Sequence, residues 1–543
     1  MIKRFVLLLL SLILLTGCPV STTYMVSMKD GVELATDVNL PPEGEGPWPV
    51  LLIRTPYGKK RSFSLFDYLN DYVFVIQDVR GRHDSEGEYF PFFDDGWGEK
   101  QDGYDTTAWI LDQSWSNGKI GTYGASADGI LQHQLAGAAP PGLACQFILV
   151  APTDLYSQLI FQGGVFRHSL VTLWLEKQNA AHWLDTIKEH PLYDSFWESG
   201  NVETRTEIVK APAFHIGGWY DIALKGTING FLTRQVEGAD GAKGNQKLII
   251  GPWTHGGIVR TLQGQLLYPA NSLLDWDEQI SNWHSYWLKG EATGSMDEAP
   301  VRYYVMGDTS DPGAPGNLWR DAETWPPYDL TPVSYYLHSG GVLSQDKPED
   351  DEAFSTYSFD PKNPVPTYGG ANLSIPAGPY DQRIIESRHD VALFSTAPLE
   401  QTLEVTGDLK VVLYISSDVV DTDFTAKLTD VYPDGRSMLI ADGIIRTRFR
   451  NNSFTSSEMM VPGTIYRLEI DLWATSIIFN KGHRIRLALS SSNYPRFDSN
   501  SNTGEGPFDK ETMVSATNTV YYNKNYPSHV LLPIIPDFAP GTY

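Results

Sequence analysis

Two uninterrupted apolar runs limit the possible fold of this chain more than any other feature. Residues 49–54 read PVLLIR and residues 72–77 read YVFVIQ, without the polar alternation of a strand that has one face in water. Such runs are typical of strands buried on both faces of a parallel sheet. Strand-like and helix-like segments then alternate along the chain, at 102–113, 119–123, 128–138, 145–150, 214–216 and 247–250. The alternation predicts an α/β domain.

This α/β pattern is interrupted once and is later replaced. Residues 153–209 carry many aromatic side chains at helical spacing and no clear strands. We interpret them as a helical cap inserted between two parts of the α/β domain, 24–152 and 210–310. The aromatic stripe is interpreted mainly as packing, with part of it a candidate roof over the functional site. From 330 to 543, short alternating strands between turns predict an all-β sandwich of the jelly-roll type.

The N-terminal residues 1–18 have the pattern of an export signal. Lys3 and Arg4 precede an apolar run at 5–15 that has the length of a signal-peptide core and is too short to span a bilayer comfortably. The following L-T-G-C ends at Cys18 and resembles the bacterial lipoprotein signal, in which the chain is cut before a cysteine that receives a diacylglycerol group. We therefore predict a lipid-anchored protein of the bacterial cell envelope, the alternative being an ordinary secretory signal. Cys145 is then expected to be a lone buried thiol.

The charge balance and the histidine pattern exclude several classes of partner. The formal net charge of −25 at pH 7 argues against binding to nucleic acid and against electrostatic attachment to anionic lipid. The histidines are scattered, without the spacing of a zinc site, so we expect no metal and no cofactor. The sequence leaves the oligomeric state open.

Three polar residues each follow a strand-like run. Ser126 follows KIGTY, Asp221 follows APAFHIGGWY and His255 follows KLIIGPWT. In α/β sheets, reactive groups lie at the carboxyl ends of strands, and the order Ser, Asp, His is that of α/β-hydrolase triads. A serine hydroxyl needs a base such as neutral histidine, which a carboxylate orients. Taken singly, the three residues could be a turn serine, a helix N-cap and a satisfied polar histidine; together they favour a triad.

The glycines around Ser126 differ from the usual G-x-S-x-G. Residues 124–129 read GASADG, so the second glycine arrives one position late. A strand that turns sharply into a helix needs small residues where the two segments meet, and we expect Gly124 and Gly129 to provide that space. Asp128 is expected at the start of the helix, where its charge suits the helix dipole.

An oxyanion hole requires two hydrogen-bond donors. The backbone N–H of Ala127, directly after the candidate nucleophile, is one candidate. The second should come from the loop after an earlier strand, which reads RTPYG at 54–58 and offers the hydroxyl of Tyr57. Taken alone, this peptide favours an exposed loop tyrosine over an oxyanion donor.

Six stretches together resemble the cocaine-esterase and X-Pro dipeptidyl-peptidase family of serine hydrolases. The resemblance implies an α/β hydrolase domain, an inserted helical cap and a C-terminal jelly roll. It also implies that Ser126 is the nucleophile, Asp221 the triad acid and His255 the base, with Tyr57 and the Ala127 amide as oxyanion donors. The stretches occur in the family's order and are RTPYGK (54–59), QDVRGRHDSEGEY (77–89), GKIGTYGASADG (118–129), HIGGWYD (215–221), IIGPWTHG (249–256) and SSSNYPRFDSNSNTG (490–504).

The chain departs from this family at two places. Relatives often carry tyrosine directly after the nucleophile, where this chain has Ala127. Relatives that hydrolyse α-amino-acid esters have acidic residues shortly after the triad aspartate, where this chain has Ala223 and Leu224, so that subclass is not expected. We expect Arg80 and Arg82 to stabilise their loop by pairing with nearby acids.

These observations predict a serine hydrolase that cleaves a small-molecule ester, an amide or a short peptide through an acyl-enzyme. An X-Pro dipeptidyl-peptidase is the alternative within the class, and it needs a polar pocket for the free α-ammonium group of its substrate. A surface-anchored binding protein without activity is the alternative outside it.

Overall fold

A computed structural model of the chain describes residues 21–60, 70–506, 508 and 511–536. Ten strands of its first part form one sheet, in the order β1-β2-β4-β3-β5-β6-β9-β10-β13-β14. The seven strands from β4 to β13 run parallel, while β1, β2 and β14 pair antiparallel at the two edges. In chain order the strands are β1 (Ser21–Ser27), β2 (Glu33–Asn39), β3 (Trp48–Thr55), β4 (Val73–Asp78), β5 (Ser116–Ala125), β6 (Leu143–Leu149), β7 (Phe161–Gln162), β8 (Val165–Phe166), β9 (Ala213–Tyr220), β10 (Lys247–Thr254), β11 (Leu262–Gln263), β12 (Leu266–Leu267), β13 (Val301–Val305) and β14 (Leu318–Ala322).

The apolar runs form strands buried on both faces, as predicted. Alternate residues of β3 contribute to two different cores: Leu51 and Ile53 pack on one side of the sheet, and Val50 and Leu52 on the other. Helices cover both faces, because a parallel sheet has no face left for water. The helices of the chain are α1 (Asp102–Leu111), α2 (Ala127–Gly137), α3 (His168–Lys177), α4 (Trp183–Glu189), α5 (Ser195–Glu198), α6 (Leu224–Glu237), α7 (Trp276–His284) and α8 (Arg383–Glu386), with short 3₁₀ or π turns at Tyr156–Ile160, Val202–Ile208, Ala270–Ser272, Ser285–Lys289 and Thr447–Phe449. Of these, α8 and the turn at Thr447–Phe449 belong to the C-terminal domain.

The segment between β6 and β9 contains α3, α4 and α5 and also a short hairpin, β7–β8, that the sequence pattern did not indicate. The hairpin turns at Gly163 and Gly164, which have φ of 56° and 74°. Its tip lies against the C-terminal domain, where the Gly163 carbonyl accepts a hydrogen bond from the Arg446 N–H at 3.0 Å. Because the two partners are far apart in sequence, no local sequence pattern could predict this contact.

The C-terminal region forms a jelly-roll sandwich, as predicted. Its sheet path, β17-β24-β19-β26-β15-β16-β18-β23-β20-β21, folds around one core that includes Val411, Leu428, Leu487 and Val520. The α/β sheet extends further than residue 310, since β14 pairs with β13. The strands of the C-terminal domain are β15 (Val333–His338), β16 (Val342–Ser344), β17 (Phe354–Phe359), β18 (Ala392–Ser395), β19 (Leu403–Ser417), β20 (Asp423–Val431), β21 (Ser437–Arg446), β22 (Tyr466–Phe479), β23 (Arg484–Ser490), β24 (Ala516–Asn523), β25 (Tyr526–Pro527) and β26 (His529–Leu532).

Within the described ranges, no helix has the length and apolar character needed to cross a bilayer. Cys18 and the rest of the predicted lipoprotein signal lie outside the described residues.

A substitution at the tip of the β7–β8 hairpin can test how tightly the cap segment (residues 153–209) packs on the jelly roll. A methyl group on Gly163 would lie 1.9 Å from the Ile444 carbonyl oxygen, so Gly163→Ala should lower the free energy of unfolding by overpacking. Gly340→Ala is the matched control, because Gly340 also has positive φ but meets nothing within 4 Å. We expect Gly340→Ala to cost about 1 kcal/mol and Gly163→Ala about 1–3 kcal/mol more. Thermal unfolding measures both, and equal costs would contradict the packing described.

Candidate active site

The structure brings the three predicted triad residues together at one edge of the sheet. Ser126, Asp221 and His255 directly follow β5, β9 and β10, which are parallel strands and therefore end at the same edge. His255 Nε2 lies 2.9 Å from Ser126 Oγ, and His255 Nδ1 lies 2.9 Å from Asp221 Oδ2. The arrangement is that of a base between a hydroxyl and an orienting carboxylate.

Ser126 is held in a strained backbone conformation at the turn from β5 into α2. Its φ is 59°, which lies in a backbone region that residues other than glycine rarely adopt. Strain of this kind is common at functional sites. The spacing of the glycines has a steric cause: a methyl group on Gly124 would lie 2.5 Å from Asp128 Cβ, and one on Gly129 would lie 2.6 Å from Ala151 Cβ. Gly129, the second glycine of the turn, is therefore the residue at which α2 packs closely against the end of β6 and the loop that follows it.

Asp221 is completely buried, and its side chain has two described partners. One carboxylate oxygen accepts the Ala223 N–H at 2.6 Å, and the other faces His255. Helix α6 begins only at Leu224 and has Ala223 at its N-cap. The carboxylate is thus placed toward the imidazole rather than at the cap of this helix.

The two candidate oxyanion donors lie on the elements expected. Ala127 is the first residue of α2, where backbone N–H groups have no partner within the helix. Tyr57 follows β3 and is half-buried against the core that contains Phe92 and Trp183, so it is not an exposed loop tyrosine. Its hydroxyl accepts a hydrogen bond from Trp174 Nε1 at 3.1 Å.

An apolar pocket opens beside Ser126. It holds about 660 Å³ of space, including its opening to solvent. Apart from Ser126, its lining side chains are aliphatic or aromatic, and no carboxylate or ammonium group lines it within the described part of the chain. The lining residues are Pro91, Phe92, Phe93, Ser126, Ala127, Ile130, Leu155, Leu159, Ile160, Leu170, Val171, Trp174, Leu175, Trp183, Ile187, Trp197, Ile222 and Leu373.

Two family models together match most of the chain. The family model described as X-Pro dipeptidyl-peptidase (S15 family) matches residues 30–181 and 170–257, and the model of the X-Pro dipeptidyl-peptidase C-terminal non-catalytic domain matches residues 293–531. The chain is 34% identical over 590 aligned residues to cocaine esterase from Rhodococcus sp. (strain MB1 Bresler), which covers 95% of this chain and 98% of the relative.

The chain belongs to the cocaine-esterase and X-Pro dipeptidyl-peptidase family. It is therefore a serine hydrolase. Solved structures agree on the fold. An aminopeptidase from a marine-sediment archaeon of the Thaumarchaeota superposes with a TM-score of 0.82 at 24% identity, covering 95% of this chain and 96% of that one. An α-amino-acid ester hydrolase superposes with a TM-score of 0.81 at 24% identity, covering 98% of each chain.

The two arginines of the DVRGR stretch behave differently in this family member. Arg80 pairs with Asp102 at 2.6 Å and with Asp30 at 2.8 Å, as expected. For Arg82 the expectation of an acidic partner is wrong within the described ranges. Its guanidinium instead donates to the carbonyl oxygens of Pro56 and Gln178, because the loop that holds Tyr57 and the end of α3 approach it there.

Arg167 lies close to Asp221 and was not predicted from the sequence as part of the site. It is buried, and its Nη1 donates to the carbonyl oxygen of Ile222, the residue after Asp221, at 3.0 Å. Burial lowers the pKa of Arg167 to about 9, helped by nearby Arg496 and opposed by the carboxylate of Asp221. Arg167 thus remains cationic near neutral pH and supplies positive charge close to the buried Asp221.

The late glycine of the elbow can be tested directly. Gly129→Ala places a methyl group 2.6 Å from Ala151 Cβ and 3.1 Å from the Leu149 carbonyl oxygen. Alanine normally stabilises a helix, but here overpacking should destabilise the protein by about 1–3 kcal/mol. A displacement of Ser126 by about 1 Å should also lower kcat roughly 100-fold.

Gly506→Ala is the control for this substitution, since a methyl group there meets nothing within 4 Å. Thermal unfolding and steady-state hydrolysis of an aryl ester measure both variants. A Gly129→Ala protein with native stability and native kcat would contradict the steric explanation.

Proposed function

We propose that Ser126, His255 and Asp221 act as the catalytic triad of an esterase. His255 Nε2 removes the proton from Ser126 Oγ, which attacks the carbonyl carbon of the substrate. Asp221 accepts the Nδ1–H and stabilises the imidazolium that forms. The proton then passes to the leaving alcohol as the C–O bond breaks, leaving an acyl-enzyme. Water next attacks this ester with His255 again as base, and its proton returns to Ser126 Oγ as the acid departs. The two 2.9 Å contacts of the imidazole support this assignment.

In this proposal, the Ala127 N–H and the Tyr57 hydroxyl donate hydrogen bonds to the negatively charged oxygen of each tetrahedral intermediate. Donors that are already oriented stabilise such an intermediate without reorganisation, and each can contribute roughly 100- to 1000-fold to kcat. Ala127 contributes only its amide here, so the absence of a tyrosine side chain at this position alters the pocket wall and leaves the donor in place.

We propose that the substrate is an ester with an uncharged, hydrophobic group, because the pocket beside Ser126 is apolar. A free α-ammonium group would lose its hydration in such a pocket and gain no carboxylate partner from the described lining. The buried Ala223 and Leu224 stand where amino-ester hydrolases are expected to have acids. The cocaine esterase relative also supports an ester substrate. The S15 family description keeps X-Pro dipeptides as the alternative substrate class.

The test compares kcat/KM for a phenyl ester of an uncharged aromatic acid with kcat/KM for glycyl-prolyl p-nitroanilide. We expect the ester to be preferred by at least about 100-fold, since burying an unpaired ammonium group costs several kcal/mol. Ser126→Ala should lower kcat for the ester on the order of 10⁶-fold. A preference for the dipeptide anilide would favour the peptidase, and ester turnover unchanged in Ser126→Ala would refute the assigned nucleophile.

We also propose that the mature enzyme is exported and anchored to the bacterial cell envelope through a lipid on Cys18. The basic residues 3–4, the apolar run at 5–15 and the L-T-G-C ending support this. Strand β1 begins at Ser21, three residues after Cys18, so a lipid there would hold the α/β domain close to the membrane surface.

Replacing the cysteine tests the anchor. Cys18→Ala removes the thiol that would carry the diacylglycerol group, so the enzyme should move from the membrane fraction to the soluble fraction of a bacterial expression host. Cys145→Ala is the control, because the Cys145 thiol is completely buried and should not affect partition. Continued sedimentation of Cys18→Ala with membranes would contradict the proposal.

A further inference from the structure

One hydrogen bond joins the cap segment to the proposed oxyanion hole. Trp174 lies on α3, lines the apolar pocket, and donates its indole N–H to the Tyr57 hydroxyl at 3.1 Å. An indole N–H can only donate, so the Tyr57 oxygen must be the acceptor. The hydroxyl hydrogen of Tyr57 therefore points away from Trp174.

We propose that Trp174 is a positioning residue, whose indole N–H holds the Tyr57 hydroxyl in the orientation that donates to the oxyanion. This inference rests on the proposed role of Tyr57. It gives the cap segment a part in the chemical step in addition to forming a wall of the pocket.

Two sets of contacts hold the Trp174 indole and the Tyr57 hydroxyl in position relative to each other. The ring of Phe92 stacks on that of Trp174, with centroids 5.6 Å apart and planes at 28°. Phe92 itself lines the pocket and has a strained backbone conformation, with φ of 75°. Arg82 ties the Tyr57 loop to the end of α3, since its Nε donates to the Pro56 carbonyl at 3.1 Å and its Nη2 to the Gln178 side chain at 3.0 Å.

The other two indoles of the pocket have different partners. Trp183 Nε1 donates to the Tyr89 carbonyl at 3.2 Å, and Trp197 Nε1 donates to the His190 carbonyl at 2.8 Å. Of the three tryptophans that line the pocket, Trp174 alone makes this contact to Tyr57 within the described residues. Trp183 can therefore serve as a control, because replacing it also removes an indole N–H from the pocket wall but leaves the contact with Tyr57 in place.

A double-mutant cycle on the full chain tests the proposal. Tyr57→Phe should lower kcat for the aryl ester roughly 100-fold or more, by removing an oxyanion donor. Trp174→Phe keeps an aromatic wall but removes the N–H, and it should lower kcat roughly three- to tenfold, the value of one neutral hydrogen bond. In the Tyr57→Phe background, Trp174→Phe should leave kcat unchanged within about 1.5-fold, because the acceptor is already gone. KM is free to change in both backgrounds, since the ring also lines the pocket.

The outcomes separate this inference from the function on which it rests. Multiplicative effects of Trp174→Phe and Tyr57→Phe on kcat would show that Trp174 acts only as a wall. A Tyr57→Phe protein with native kcat would instead refute the oxyanion role itself. The control pair, Trp183→Phe with Tyr57→Phe, should be multiplicative, because the Trp183 N–H binds Tyr89.

A second variant keeps the test available should Trp174→Phe fail to fold. Arg82 is only half-buried, and Arg82→Lys leaves the pocket wall intact while removing the planar group that joins Pro56 to Gln178. We expect kcat to fall roughly two- to fivefold in the native background and to be unchanged in the Tyr57→Phe background. Equal losses in both backgrounds would overturn the proposal.

Discussion

The two hydrogen bonds of the His255 imidazole are the interaction on which the rest of the site depends. They join residues from three separate strand ends, and they form because β5, β9 and β10 run parallel and end at one edge of a sheet buried on both faces. A completely buried Asp221 would be costly without compensation. The Ala223 N–H, the imidazole and the nearby Arg167 guanidinium supply it. The elbow at Ser126 completes the arrangement, with glycines where α2 would otherwise collide with its neighbours.

The cap segment forms much of the wall of the pocket beside Ser126. This segment contributes more than half of the residues that line the apolar pocket, and the indole N–H groups of Trp174, Trp183 and Trp197 in it are all bound to protein oxygens. The described wall therefore offers substrates mainly apolar surface, and this supports the proposed preference for an uncharged ester over a dipeptide with a free ammonium group. Through Trp174, the same segment contacts the Tyr57 hydroxyl, so the pocket wall and the proposed oxyanion hole are physically connected.

Much of this architecture could be predicted from the sequence, because its signals are local. The apolar runs of β3 and β4, the turn at Ser126, and the order of Ser126, Asp221 and His255 can each be read within a few residues. The aromatic residues at helical spacing in 153–209 and the alternating strands after 330 predicted the cap and the jelly roll, and the family resemblance agreed with both. What could not be predicted depends on segments that meet only in the fold: the β7–β8 hairpin against Arg446, the pairing of β14, the carbonyl partners of Arg82, and the contact of Trp174 with Tyr57. No local pattern encodes these contacts.

Covalent labelling of the folded enzyme with an aryl fluorophosphonate, followed by intact-mass measurement and peptide mapping, tests whether His255 activates Ser126 as a nucleophile. The phosphorus mimics the carbonyl carbon under attack, so a serine activated by His255 should displace fluoride and keep the phosphonyl group. We expect one adduct per chain, located on Ser126, with labelling lost in Asp221→Asn and His255→Ala proteins that remain folded. Labelling at a different residue, or no labelling of native enzyme that still hydrolyses an ester, would contradict this expectation.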